Sequence, residues 1–245
     1  MKYLDLTLSS PAENLACDEA LLEKCEEQGG DEVLRVWEPR EYFVVLGYAN
    51  HAATEANLEL CLQQNIPVLR RCTGGGAVLQ GPGCLNYSLI LKISETGGGI
   101  TATNCAIMKR QQAALESALT GAQTKLVPGE VTVAGITDLA LAGMKFSGNA
   151  QRRKKAFLLF HGSFLLNFDL SLIDRLLPMP SQQPDYRHHR RHSEFVINLG
   201  LAPDEVKAAL RSEWQTGEEA NVPSLEAIQT LVRGKYSTAE WNLKF

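Results

Sequence analysis

Residues 70–91 read RRCTGGGAVLQGPGCLNYSLIL, and this stretch decides the fold. Val68-Leu69-Arg70-Arg71 has strand character and runs straight into Gly74-Gly75-Gly76. Ala77-Val78-Leu79 and then Leu85–Lys92, rich in β-type residues, resume it. Three consecutive glycines between strands permit positive φ and strip one edge of the backbone of side chains. Bare N–H groups can then approach an anion closely. Arg70 and Arg71 supply fixed charge and forked donors, but on a strand they point to opposite faces, so one of them enters the site. The stretch is not a nucleotide P-loop, since no Gly-Lys-Ser/Thr follows, and it lacks the G-x-G-x-x-G of dinucleotide sites. A ligand-free glycine hairpin remains an equal reading of these residues alone.

Working outward, helical spacing over residues 12–27 is punctuated by Pro11 and Gly29-Gly30. Strands are expected at Val33–Trp37 and Tyr42–Leu46, and a helix at 54–64. Gly97-Gly98-Gly99 reads as a loop and 103–119 as a helix. Thr124–Leu141 is rich in β-branched residues; Met144–Gly148 and Ala156–Leu166 read as strands, and 203–216 and 224–233 as helices. Strands and helices mix without βαβ alternation, which favours an α+β fold.

The 245 residues carry a net charge of −4 with 44% hydrophobic content, which suits a buried core and argues against nucleic acid as the main partner. No apolar run is long enough for a membrane span, and the start lacks the layout of a signal peptide, so a cytoplasmic location is expected. The six cysteines form no C-x-x-C pair and none follows Cys105; they read as reduced, mostly buried thiols. His188, His189 and His192 sit among arginines with no acidic or thiol partner, so no metal site is expected. The basic run Arg152-Arg153-Lys154-Lys155 reads equally as a solvated hairpin tip or as a docking patch for an acidic partner.

A second block, TDLALAGMKFSGNAQRRKKAFLLFHGSFLL (137–166), offers Lys145 beside a Ser-Gly-Asn turn and His161 late in an apolar strand. Alone, Lys145 reads as a surface lysine and His161 as structural. Together and in order, the two blocks resemble the biotin/lipoate protein ligase superfamily, in its lipoate–protein ligase and octanoyltransferase branch. The resemblance implies a class II aminoacyl-tRNA synthetase/biotin ligase-like fold, mixed β-sheets flanked by helices. It sets a catalytic domain at 1–180 and a C-terminal helical extension at 181–245. By the same resemblance Lys145 is catalytic, contacting the acyl carbonyl and phosphate. Arg71 holds the adenylate phosphate, Gly75, Gly76, Ala77, Val78 and Leu79 line the acyl-adenylate, and Asn86 and Asp138 help seat it. Arg70, Thr73, Gly74, Gly148 and His161 shape the site. Gln80 stands where many members have a histidine.

The branch contains two reactions. Ligases adenylate lipoate or octanoate with ATP and Mg²⁺; octanoyltransferases take the acyl group from a carrier protein through a cysteine thioester, without ATP. The regions where such a cysteine is expected hold Thr132-Val133-Ala134 and Asp174-Arg175-Leu176, so the sequence favours the ATP-dependent ligase. The implied acceptor is a lysine on a lipoyl domain, such as that of a 2-oxoacid dehydrogenase acyltransferase subunit or a glycine-cleavage H protein. Only some 65 residues follow Pro178, which leaves room for a separate accessory chain.

Overall fold

The computed structural model describes residues 1–95, 98–122 and 130–245. Helix α1 (Pro11–Gln28) starts where Ser10 and Glu13 form a reciprocal capping box and proline fills the first turn. Strands β1 (Lys2–Asp5), β2 (Val33–Trp37) and β3 (Phe43–Leu46) flank it in the chain. The helix expected at 54–64 is two short ones, α2 (Ala52–Glu55) and α3 (Leu58–Gln63), because the Asn57 side chain caps Leu60 and starts a new helix. Then come β4 (Val68–Arg70), β5 (Val78–Gln80), β6 (Cys84–Lys92) and helix α4 (Ile100–Gly121). Of the glycine loop at 97–99, Gly97 lies outside the described residues, as do 124–129 of the expected β-rich segment. That segment continues as β7 (Val131–Ala134) and β8 (Asp138–Leu141).

Strand β9 (Met144–Arg153) runs five residues beyond the expected end at Gly148. Its polar outer half is a strand because it pairs with β10 (Phe157–Leu165) through Arg153↔Leu158. The chain closes with α5 (Ser171–Leu176), α6 (His192–Phe195), α7 (Pro203–Glu213), α8 (Leu225–Leu231) and α9 (Ala239–Asn242). Seven strands form a mixed sheet in the order β1-β2-β6-β10-β9-β8-β7, and a small sheet holds β4-β3-β5. The α+β class with sheets flanked by helices is as expected.

Strand alternation gives the large sheet two faces. One carries Leu34, Val36, Leu89, Phe160 and Phe164 and packs on α4 and α7 through Met108, Leu115 and Leu210. The other carries Val33, Trp37, Ile90 and Leu159 and packs on α1. Here two rows across the sheet are polar or small: Trp37↔Asn86↔Ser163↔Gly148 and Arg35↔Ser88↔His161↔Ala150. The small sheet stands over these rows, and the space between is the cavity described below. The chain after residue 180 is packed throughout on what precedes it: α7 adds to the α4 core, and Ile228 and Tyr236 join the α1 core. No helix among the described residues is long and apolar enough to cross a membrane.

Candidate active site

The cavity encloses about 1520 Å³, more than the 300–1,000 Å³ usual for a small-molecule pocket. Leu15, Trp37, Val45 and Val78 give one part an apolar wall; Lys145, Asp138 and residues 178–187 close another. The size leaves room for an acyl chain and a further extended group.

Lys145 lies where the β8–β9 register shifts between Leu139 and Ala140, and this irregularity turns its side chain toward Gly148. A Cβ at Gly148 would stand 2.9 Å from Lys145 Nζ, so the lysine tip lies directly against this glycine. Lys145 Nζ pairs with Asp138 Oδ1 at 2.8 Å, and Tyr186 Oη donates to Asp138 Oδ2 at 2.8 Å. Burial first, and then the Asp138 charge, push the Tyr186 phenol far above its ordinary value, so it stays a donor. Asn149 Nδ2 donates to Thr137 O at 2.6 Å and Thr137 Oγ1 to Asn149 O at 2.8 Å, locking the turn before Asp138 onto β9.

At the glycine loop the two arginines part as strand geometry requires. Arg70 points away from the cavity and donates to the carbonyls of Gly47, Tyr48, Asn50 and Trp241. It is a scaffold for the C-terminal segment, not a residue that shapes the cavity. Arg71 turns inward, but its guanidinium is committed to its own loop. It donates to Gly74 O at 2.5 Å, Gly76 O at 2.8 Å and Thr73 Oγ1 at 3.0 Å. Burial lowers its pKa to about 10, a cation gathered in by carbonyls. Gly75 sits at φ +86°, and a Cβ there would meet Arg71 Nη2 at 2.8 Å. With the carbonyls drawn inward, the amides of Gly74, Gly75, Gly76 and Ala77 donate to no group among the described residues, and all four residues line the cavity. Such a row of free amides can receive an oxyanion.

Of the other expected positions, Val78, Leu79 and Asn86 line the cavity, and Asn86 Nδ2 donates to Gln80 Oε1 at 3.2 Å. His161 Nε2 lies 2.7 Å from Thr73 Oγ1, and its Nδ1 is 3.4 Å from Asp18 Oδ2. Thr73 itself is 1% exposed and stands behind the lining. Asp18 and Arg35 went unread in the sequence. They form a fully buried ion pair at 2.5 Å, and the one signal was charge set in apolar runs, LACDEALL and VLRVW. Burial pushes the Asp18 carboxyl up, but the Arg35 cation and the hydrogen bond from His161 more than offset it, leaving it below the ordinary value. The cover made by 178–187 was also missed, since proline-rich polar sequence carries no mark of what it packs on.

The basic run is neither a solvated tip nor a free patch over most of its length. Arg152 pairs with Glu19 at 3.0 Å, Lys154 with Glu23, and Arg153 donates to Thr103 Oγ1 at 2.9 Å. Among the described residues no three or more His, Cys, Asp or Glu side chains converge as metal ligands. Cys72 follows Arg71 and also borders the cavity, with its side chain packed in the α1 core that includes Tyr236. Burial, then the Glu19 charge, raise its pKa to about 11; burial raises Cys84 to about 12.

One structural neighbour is a bi-partite lipoate protein ligase from Thermoplasma acidophilum, analysed together with its E2 lipoyl domain. It superposes with a TM-score of 0.77 and 25% identity over 99% of this chain and 96% of that one. The architecture is that of the lipoate/biotin protein ligase superfamily. Within it, the chain belongs to the family of the lipoyl protein ligase A/B catalytic domain, whose model matches residues 10–213. Octanoyltransferase LipM of Carboxydothermus hydrogenoformans is 29% identical over 270 residues, taking in 100% of this chain and 98% of the relative. Octanoyltransferase LipM of Bacillus subtilis is 27% identical over 279 residues, 99% of this chain and 98% of the relative. These full-length relatives overturn the ATP-dependent ligase expected from the missing cysteine. Arg71, expected to hold an adenylate phosphate, lines the cavity and donates to Thr73 Oγ1, Gly74 O and Gly76 O, and to Val45 O on β3.

Proposed function

We propose that this protein is an acyltransferase of protein lipoylation. It moves an octanoyl or lipoyl group from a thioester donor onto a lysine of a lipoyl-domain acceptor, without adenylation. The observation that carries the reading is the loop of four amides, 74–77, unpartnered among the described residues, in the same cavity as Lys145 and with Arg71 engaged on its own loop. The acyl chain lies along the two polar rows beneath the small sheet, against Leu15, Trp37 and Val45. Gly148, beside Lys145, and His161 are one strand and two residues apart, about 8 Å, a span that suits an eight-carbon chain with its carbonyl at the lysine.

The neutral ε-amine of the acceptor lysine attacks the thioester carbon. Negative charge developing on the carbonyl oxygen is met by the loop amides and by Lys145, whose ammonium Asp138 and Tyr186 hold in place. The C–S bond then breaks, the amide C–N bond remains, and the amine proton passes to the departing sulfur. Cys72, which borders the cavity but packs into the α1 core and is held as a thiol by burial, takes no acyl group. The acceptor class is a lipoyl domain, as on 2-oxoacid dehydrogenase acyltransferase subunits or the glycine-cleavage H protein.

The test is to mix the protein with octanoyl carrier protein and an apo lipoyl domain, omit ATP, and weigh the domain by intact mass spectrometry. An octanoyl mass gain is expected. Gain from free octanoate or lipoate with ATP, and none from the thioester, would sink the proposal.

A further inference from the structure

Along the cavity wall, through Asp18, His161 and Arg71, runs a line of hydrogen bonds that the transfer step does not use. Arg35 Nη1 donates to Asp18 Oδ1 at 2.5 Å, and Asp18 Oδ2 faces His161 Nδ1 at 3.4 Å. His161 Nε2 meets Thr73 Oγ1 at 2.7 Å, and Arg71 Nε donates to the same oxygen at 3.0 Å. The links come from β2, α1, β10 and the loop after β4, so the line ties four separate parts of the chain to the amide loop.

The direction of every proton follows from the ends inward. A guanidinium only donates, so Thr73 Oγ1 accepts from Arg71, and its own hydrogen is free to be donated to His161. The Asp18 carboxylate, which only accepts, faces Nδ1 and favours the ring proton there, leaving Nε2 to accept from Thr73. Asp18 can play this part because Arg35 keeps it ionised in a buried place. Arg71, steadied at Nε, uses Nη2 to draw in the carbonyls of Gly74 and Gly76.

We infer that His161 is a positioning residue for the transfer. With Asp18 setting its tautomer, it holds the Thr73 hydroxyl; Thr73 holds Arg71; and Arg71 keeps the amides of 74–77 aimed at the acyl carbonyl. This deepens the transferase reading and rests on it. His161 is not the base for the incoming lysine, since its free nitrogen is taken by Thr73, which is 1% exposed.

Two measurements on the full chain decide the matter. Nitrogen-15 NMR of the imidazole rings, with the His161 signals assigned by their loss in His161→Ala, should show the Nδ1–H tautomer. The preference should weaken in Thr73→Val and return in Thr73→Ser. An Nε2–H ring in the unsubstituted protein would overturn the relay. In ATP-free octanoyl transfer, Thr73→Val and His161→Ala should each lower kcat about 10–100-fold while KM for the donor holds steady. The double variant should be no slower than the worse single one, and Thr73→Ser should restore the rate. Additive losses, or a change confined to KM, would also overturn it. Melting temperatures identify any variant that has merely failed to fold, and the ring tautomer in Thr73→Ser then stands in for it. If the unsubstituted protein transfers nothing, the transferase reading fails, and the ring tautomer alone decides the relay.

Discussion

Replacing Arg35 by methionine isolates the most consequential buried charge in the protein. The Arg35 side chain is 0% exposed and Asp18 3%, and the guanidinium also donates to Asn14 O, Asn14 Oδ1 and Leu6 O. Methionine fills much of the volume but leaves an Asp18 carboxylate with its chief partner gone. Breaking one side of such a pair costs about 3–5 kcal/mol, and for a chain of this size that lowers Tm by roughly 6–20 °C. The sign of the pH dependence should invert. In the unsubstituted protein the Asp18 pKa is lowered, so its contribution is present above the unfolded carboxylate value and is lost only as pH falls through the lower folded value. Without Arg35, burial dominates and the folded pKa rises above the unfolded one. Lowering pH from 7 to 5 should then recover stability in Arg35→Met and do little through this group in the parent. Urea denaturation of both at pH 7 and 5 reads this directly, and Arg35→Met/Asp18→Asn should regain part of the loss. A cost under about 1 kcal/mol at pH 7, or a variant still weaker relative to the parent at pH 5, would refute the argument.

Lys145→Met should cut kcat of octanoyl transfer about 10²–10³-fold, the usual loss of one oxyanion donor, with melting temperature nearly unchanged; steady-state kinetics and a melt check it. Gly75→Ala should abolish most activity, because φ +86° and the 2.8 Å approach of Arg71 Nη2 forbid the methyl, whereas Gly74→Ala, with nothing within 4 Å, should be tolerated. Equal effects would show that the loop is not held as described. Cys72→Ala should retain transfer within about two-fold, and iodoacetamide should label Cys72 slowly at neutral pH, given a pKa near 11. An inactive Cys72→Ala, or an octanoyl adduct on that thiol, would move the chemistry onto cysteine.

Local signals carried most elements. The proline and glycine punctuation around α1 predicts 12–27 against the observed Pro11–Gln28, and Val33–Trp37 is found as read. What failed was governed by partners distant in sequence. Nothing in QRRKK says strand; Arg152 and Arg153 are strand residues because Leu159 and Leu158 pair with them. The glycine loop and Lys145 were legible, since glycine runs and a lysine beside a Ser-Gly-Asn turn are local patterns. The role of Arg71 was not, because whether a guanidinium meets a ligand or its own loop depends on which way three carbonyls turn. The choice between ligase and transferase rested on a missing residue, and an absence at expected positions says nothing about a route that does not need that residue.

Arg70 and Arg71, adjacent on one strand, serve the far end of the chain and the cavity respectively, and Trp241 Nε1 donates back to Arg70 O at 2.8 Å across 171 positions. At ordinary rates of translation, about 5–20 residues per second, the ribosome releases Arg70 some 10–30 s before Trp241. For that interval the nascent chain carries a glycine loop whose supporting strand lacks its last neighbour. Newly made molecules should therefore gain their activity late and all at once, and until then that strand is open to chaperones and proteases.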